Sequence, residues 1–377
     1  MLAYARHLPV LIVYLLVTGL HVWMWRSLLA RTRSRRAAHA GFAALMALMS
    51  TGFALGFNRV TSQLPEGSWI AWVRAAAMLW ALLTPGLCAL IWVWQISPGC
   101  NPVRRRLLRS AGLMAATAPA AVMSFGAFVE RSRIRPVEVD LKFPALAGDL
   151  RGLRIAQLTD IHFGPFLSER ELTRAVDMAN DFRPHIAVVT GDLITERGNP
   201  LEACLRLLSR LRASDGIYGC LGNHEGYARL EAQTAALGGK LGIPFLRNQS
   251  LAIRFGAARL NLAGVDYQKM GGPYLRGSEL LAAGGAFNIL LSHNPDVFPV
   301  AAGQGHDLVL AGHTHGGQIH FEIIGLPINV AEFYTPFVYG AYRQGRSALY
   351  VSGGIGTVGI PVRIGAVPEV SLIRLTS

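Results

Sequence analysis

Residues 153–162 read Leu153-Arg154-Ile155-Ala156-Gln157-Leu158-Thr159-Asp160-Ile161-His162. The short, mostly apolar run 153–158 has the pattern of a buried strand, and it meets a carboxylate and an imidazole just past its end. Working outward, a helical pattern follows around 168–181, where Ser168 with Glu171 three residues on makes a capping box. The same unit then recurs. A strand at 185–190 ends at Gly191-Asp192, a helical pattern covers 201–211, and a strand at 216–221 ends at Gly222-Asn223-His224-Glu225. Further strands are expected at 260–265, 287–292, 308–311, 348–351 and 370–375. Before all of these, Val137-Glu138-Val139-Asp140-Leu141 alternates as an opening strand between Pro136 and Pro144. Strands alternating with helices in this way predict an α/β domain.

The residues capable of chemistry fall at strand C-termini, where the ligand sites of open α/β sheets lie. They are Asp160-Ile161-His162, Gly191-Asp192, Gly222-Asn223-His224-Glu225, Ser292-His293-Asn294 and Gly312-His313-Thr314-His315-Gly316-Gly317. Together they offer carboxylates, imidazoles and one amide, with no thiolate. Such an oxygen and nitrogen set suits Mn, Fe or Zn. In Asp-x-His and His-x-His, alternate residues of an extended segment leave in one direction, so both can meet one metal cluster. The four cysteines (Cys88, Cys100, Cys204 and Cys220) have no metal-site spacing and indicate no disulfide framework.

This constellation resembles the calcineurin-like metallophosphoesterase superfamily, whose pattern is D-x-H, G-D, G-N-H-[DE], H and G-H-x-H in that order. The resemblance covers about residues 150–377. The stretch 350–375, with Gly353-Gly354-Ile355-Gly356-Thr357 and Pro361-Val362-Arg363, looks like the bacterial membrane-associated or exported phosphodiesterase-like branch. The resemblance implies a four-layer α-β-β-α sandwich built on two mixed sheets. It implies one metal held by Asp160, His162, Asp192 and His315. A second would be held by Asp192 (bridging), Asn223, His293 and His313. His224 is left free beside the pair as the proton donor.

The chemistry also stands on its own. Two cations about 3.5–4 Å apart lower the pKa of a shared water, so that a bridging hydroxide exists near neutral pH and can attack phosphorus in line. Asp192 suits a bridge because a carboxylate offers two oxygens. Asn223 offers a neutral one, and a positioned imidazole such as His224 can protonate a leaving alkoxide. Blander roles are expected for other residues. His185, His306 and His320 read as satisfied core histidines, Glu225 as a brace for its loop, and Gly353 to Gly356 as a tight turn. Arg363 reads as a surface or strand-end arginine, with contact to a substrate phosphate as the alternative.

Composition locates a second part of the chain. Of its 377 residues 51% are apolar, and the formal charge is +13. Residues 1–136 hold 15 Arg, no Lys and two acids, a net of +13, while 137–377 hold 21 basic and 21 acidic residues, a net of zero. The excess charge therefore sits among apolar runs, where Arg clusters act as topology signals, and it argues against a nucleic-acid partner. Four such runs, at about 8–25, 37–57, 69–94 and 111–128, each approach the roughly 20 residues that cross a bilayer. Arg26, Arg31, Arg33, Arg35 and Arg36 join the first two runs, and Arg104, Arg105, Arg106 and Arg109 join the last two. The loop between the second and third carries only Arg59 and Glu66. By the positive-inside rule the Arg-rich loops face the cytoplasm and the catalytic part lies outside, although Arg131, Arg133 and Arg135 after the fourth run count the other way. The Arg104–Arg106 triplet before an Ala-rich stretch also resembles a twin-arginine export signal, with Ala118-Pro119-Ala120 as a cleavage site. An uncleaved helical anchor is the preferred reading.

The expected organisation is a transmembrane region at 1–130 with about four helices in an all-α bundle, a linker and first strand at 131–150, and a metallophosphoesterase domain at 151–377. The expected function is a phosphodiesterase or pyrophosphatase of the bacterial inner membrane that carries two divalent metal ions, manganese first. Its first candidate substrate is a lipid-linked envelope phosphate, and the apolar loop at 333–342, with Phe337, Tyr339 and Tyr342, either dips towards lipid or packs in the core. A periplasmic hydrolase of soluble phosphoesters and a non-catalytic sensor of phosphorylated ligands are the alternatives. The sequence leaves the oligomeric state open.

Overall fold

The computed structural model describes residues 8–29, 40, 43–44, 46–47, 68–95, 101–323 and 326–377. The chain divides into two compact units, Met1–Phe125 and Gly126–Ser377.

In the first unit, helices α1 (Leu8–Leu29) and α2 (Ser68–Gln95) pack together. Val17 meets Ala77 and Ala81, while Met24 and Cys88 form a second small cluster. A polar knot crosses this pair: Trp80 Nε1 donates to His21 Nε2 at 2.8 Å, and Thr84 Oγ1 lies 3.1 Å from the same nitrogen. Within α2, Ala71–Trp92 is long and apolar enough to cross a membrane. It coincides with the third expected span. The first expected span is helical as α1, and the fourth forms the latter part of α3 (Pro102–Phe128). The second lies almost wholly outside the described residues.

The second unit is built on two mixed sheets. The first runs in the order β1 (Arg135–Lys142), β13 (Glu369–Thr376), β2 (Arg154–Leu158), β3 (Ile186–Thr190) and β4 (Ile217–Cys220). β2, β3 and β4 are parallel, whereas β13 runs antiparallel to β2 and parallel to β1. The second sheet runs β11 (Gly340–Gln344), β12 (Ser347–Val351), β8 (Leu308–Ala311), β7 (Phe287–Leu291), β6 (Ala258–Gly264) and β5 (Gln249–Phe255), parallel from β12 to β6 with antiparallel edges. A hairpin of β9 (His320–Ile323) and β10 (Leu326–Asn329) stands apart from both.

Strand alternation explains the layers. Ile186 and Val188 point into a core shared by the sheets, opposite Leu260, Leu262, Ile289 and Leu310. Their neighbours Ala187 and Val189 point the other way, onto α4 (Glu169–Asp181) and α5 (Leu201–Leu208). Sheets covered on both faces need such continuous apolar strands rather than polar alternation. α4 supplies its side through Leu172, Ala175, Val176 and Ala179, an i, i+3, i+4, i+7 stripe that is fully buried. Behind the second sheet, Val309, Leu349 and Val351 pack on Phe298 and Ala301 of α8 (Phe298–Gly303). The order helix, sheet, sheet, helix is the expected sandwich. Cys204 and Cys220 are buried and free.

Because β2, β3, β4, β7 and β8 all run in parallel within their sheets, their C-terminal ends gather at one edge of the sandwich. Every chemistry-bearing motif read from the sequence lies there.

Candidate metal centre

Asp160 and His162 follow β2, Asp192 follows β3, and Asn223 opens the short helix α6 (Asn223–Ala228) after β4. His293 follows β7, and His313 and His315 follow β8. The structure brings these residues together with His224. His162 Nε2 lies 3.1 Å from His315 Nε2 and 3.6 Å from Asp192 Oδ2, and His315 Nε2 lies 3.3 Å from Asp160 Oδ1. On the other side, His293 Nε2 stands 3.1 Å from Asp192 Oδ2 and 3.2 Å from His313 Nδ1. His224 Nε2 is 4.0 Å from Asp192 Oδ2. Three overlapping groups could each hold an ion: Asp160, His162 and His315; His162, Asp192 and His224; and Asp192, His293 and His313.

The extended geometry expected for Asp-x-His and His-x-His is not what the backbone adopts. Asp160 (φ 50°), His162 (φ 47°), Asp192 (φ 54°), His313 (φ 76°) and His315 (φ 53°) all sit in the left-handed region. Non-glycine residues visit that region rarely, at a cost of order 1–3 kcal/mol each, and such strain gathers at functional sites. The surrounding backbone enforces it. Asp160 N donates to Gly191 O, His162 N to Asp192 O, and Gly356 N to Asp160 O. Glycines allow the close approach: a Cβ on Gly222 would fall 2.1 Å from Asp192 Oδ1, and one on Gly312 would fall 2.2 Å from Asp160 Oδ2.

Hydrogen bonds around the rim fix which atoms face inward. Thr190 O takes His293 Nδ1 at 2.8 Å, and Thr195 O takes His224 Nδ1 at 2.5 Å. Each carbonyl can only accept, so Nδ1 carries a proton in both rings and Nε2 is the atom turned into the site, towards the Asp192 carboxylate. Asn223 Oδ1 is buried in the same cluster with no hydrogen-bond partner. Such an acceptor fits a cation, because a buried polar atom left unpaired costs about 1–3 kcal/mol. The donor set of imidazoles, carboxylates and an amide oxygen also fits a divalent transition metal.

The electrostatics agree. Burial lowers His162 and His315 well below the ordinary histidine range, the Arg363 guanidinium adding to this at His315. His313 is held down at about 4, first by burial and then by His293. These rings stay neutral, which is the form that binds metal. Burial works the same way on His293, but the Asp192 and Asp160 carboxylates overcome it and push that ring up to about 10. The protein alone therefore puts positive charge where the carboxylates converge.

Supporting residues complete the site. Glu225 is fully buried and accepts from the amides of Asp192, Leu193 and Gly222 at 2.8–3.0 Å, the brace expected of it. Arg363 is neither a surface arginine nor a phosphate contact. It is fully buried, and its donors go to carbonyls of the centre's own loops. Gly354 and Gly356 do more than turn, because a Cβ there would meet Asp160 Cβ at 2.6 Å and Ile161 O at 2.2 Å. Sequence reasoning missed Thr195, Tyr227 and Tyr267. Thr195 belongs to the loop after Asp192, and its Oγ1 also meets His162 Nδ1 at 3.1 Å. Tyr267 packs 5.6 Å from His313, and Tyr227 packs 5.3 Å from His224. Of the histidines read as satisfied core groups, His185 Nδ1 accepts from Arg154 N and His320 is half-buried, but His306 is buried with its Nδ1 lacking a hydrogen-bond partner.

The sequence model of the calcineurin-like phosphoesterase family matches residues 153–317, the span that carries this centre. An uncharacterised metallophosphoesterase of Bacillus subtilis is 30% identical over 286 residues, covering 73% of this chain and 98% of the relative. The chain belongs to the calcineurin-like phosphoesterases. Within this metallophosphoesterase family, a Campylobacter jejuni relative is 33% identical, with 63% of this chain and 62% of its own length aligned. A Bos taurus protein named as a transmembrane protein with a metallophosphoesterase domain is 28% identical over 390 residues. That alignment covers 94% of this chain and 86% of the relative.

Proposed function

We propose that this metallophosphoesterase is a membrane-anchored hydrolase of phosphodiesters, with pyrophosphate bonds as the second candidate, that works with two divalent metal ions. The observation that carries this reading is the convergence of imidazoles and carboxylates in three overlapping groups that could each hold an ion, with Asn223 Oδ1 buried and unpaired beside them. Asp160, His162, Asp192 and His315 would hold one ion, and Asp192, Asn223, His293 and His313 the other, with manganese first and iron or zinc as alternatives. Two such ions supply activation of a water nucleophile and electrostatic stabilisation of the phosphoryl oxygens.

The chain's own groups do the rest. His224 is oriented by the Thr195 carbonyl, so its Nε2 is the atom that faces the site and gives a proton to the leaving oxygen. Glu225 holds the amides of Asp192 and Gly222, which keeps those two loops in register. A diester carries one negative charge and a monoester two. Arg363 is buried beside the centre with its donors committed to protein acceptors, leaving no guanidinium there for the second charge. This favours diesters.

Anchoring is supported by the membrane-length apolar helix Ala71–Trp92 and by relatives named as transmembrane proteins. The Arg distribution favours several spans in a bacterial inner membrane with the catalytic unit outside the cytoplasm. A lipid-linked phosphate would then share the enzyme's plane. In the loop at 333–342, Phe337 and Tyr342 pack against the core rather than facing outward, whereas Phe333 and Tyr334, 82% and 70% exposed, add apolar surface of the kind an interface would cover.

The test is hydrolysis of bis-p-nitrophenyl phosphate and p-nitrophenyl phosphate by the full-length protein in detergent, stripped of metal and then reloaded with Mn²⁺. Turnover should require metal, favour the diester and vanish in Asp192→Ala. A folded, metal-loaded protein that cleaves neither ester would sink the hydrolase reading.

A further inference from the structure

Beside the metal centre lies a cavity of about 630 Å³ that no step above uses. One wall is the stretch from Leu221 to Tyr227, which contains Asn223. The other is the loop after β6, with Tyr267 and Met270. Tyr227 packs against His224, and Tyr267 packs against both His293 and His313, so each ring bridges the cavity and the centre. Tyr267 is half-buried, its ring seated against those two histidines.

The charges nearby are mostly spoken for. Arg247 and Asp266 face each other in a two-point pair at 2.8 and 2.9 Å. Lys269, exposed at the rim, complements the negative charge of a phosphoester. Apart from Lys269 and the Glu231 carboxylate, which also lines it, the cavity presents to a guest two aromatic faces and a thioether. Tyr227 is 71% exposed, and Met270 is also exposed. Large apolar groups left in solvent at the mouth of a catalytic centre are surface that a bound substrate can cover.

We propose that Tyr227, Tyr267 and Met270 form a subsite for an apolar organic substituent of the phosphoester, an aromatic ring or an alkyl chain. This rests on the phosphoesterase reading and deepens it, since it assigns the substrate class as esters with a bulky apolar group rather than small polar ones. Aromatic faces interact with ring edges and faces and with CH groups, and a well-packed contact of this kind is worth about a 10-fold gain in binding.

The experiment is calorimetric titration of the Mn²⁺-loaded full-length protein in detergent with methyl-, butyl- and phenylphosphonate, which bind without turning over. Phenyl- or butylphosphonate should bind about 10-fold more tightly than methylphosphonate. A phenyl preference assigns a ring, and a butyl preference assigns a chain. The preference should shrink to less than about 3-fold in Tyr227→Ala, whose exposed position leaves folding intact, and in Tyr267→Leu as a second variant. Equal binding of all three phosphonates would overturn the subsite and leave the metal centre standing, and so would a preference that survives both substitutions. Absence of any phosphonate binding together with absence of ester hydrolysis would overturn the phosphoesterase reading itself.

Discussion

Arg363 places a charge where neither solvent nor a carboxylate contact offsets it. Its Nε and Nη atoms donate to Gly356 O, Gly353 O and Ala366 O, and Nη2 lies 3.3 Å from His315 Nδ1. Burial lowers its pKa to about 10, with Asp160 and Glu369 working the other way, so it stays charged at neutral pH. Its role is to position: it ties the 353–356 turn, which abuts Asp160, to the segment carrying His315. Arg363→Met should strand several carbonyls and cost on the order of 3–5 kcal/mol, the range for breaking a buried charged contact. A domain of this size should then melt roughly 10 °C lower. Arg363→Lys, with three donors in place of five, should fall between. Metal retained after dialysis against a weak chelator should drop about 10- to 100-fold in affinity, as for other supports of metal ligands. Thermal melting and metal analysis check both, and unchanged metal retention in a destabilised Arg363→Met would refute the positioning role. The sequence could not reveal this residue's part. Its environment is made of main-chain carbonyls from distant segments, and carbonyls leave no mark in a residue pattern. The site residues were legible for the opposite reason, since imidazoles and carboxylates after apolar runs identify themselves.

At the scale of elements, legibility follows whether a segment stabilises its own pattern. α4 was readable because its buried stripe and its cap are both local. Ser168 N and Oγ donate to Glu171 Oε2 at 2.8 and 2.7 Å, and Glu171 N returns a bond to Ser168 Oγ at 3.3 Å. Removing such a cap costs about 1 kcal/mol, so Ser168→Ala should lower the melting temperature by roughly 2–4 °C. The metal centre lies beyond the reach of that change, and metal content should stay at the wild-type level. A loss of bound metal would mean that α4 supports the site directly. The strands missed from sequence were β5, β11 and the β9–β10 hairpin. β5 and β11 are edge strands with no fully buried residue. They are set by pairing with β6 and β12, and their own polarity pattern is too weak to announce them. β13 was readable as a strand, but its place between β1 and β2 was not. That position joins residues more than 200 apart, and no local signal encodes it.

For the whole molecule, orientation turns on a contest between Arg clusters. Nine arginines in two loops argue that the catalytic unit is extracytoplasmic, and Arg131, Arg133 and Arg135 argue against it. The structure weakens the objection. Arg131 is folded into the second unit, where Nε donates to Ala127 O at 3.0 Å, Nη1 donates to Phe166 O, and Glu171 lies close enough to act on its charge. A guanidinium committed to protein acceptors offers less to the lipid headgroups and membrane potential that make free basic residues topology signals. Arg131 therefore counts for less in the balance of nine against three. Labelling can decide it, because Cys88, Cys204 and Cys220 are buried and an added thiol would report alone in a Cys100→Ser background. Leu280 is 96% exposed on the catalytic unit. Leu280→Cys in a bacterial host should react with a membrane-impermeant maleimide in cells whose outer membrane alone has been opened. Reaction only after the inner membrane is broken would place the metal centre in the cytoplasm. Lipid-linked substrates would then have to present their phosphates on the inner leaflet, and the Arg131–Arg135 cluster would be the true topology signal despite its contacts.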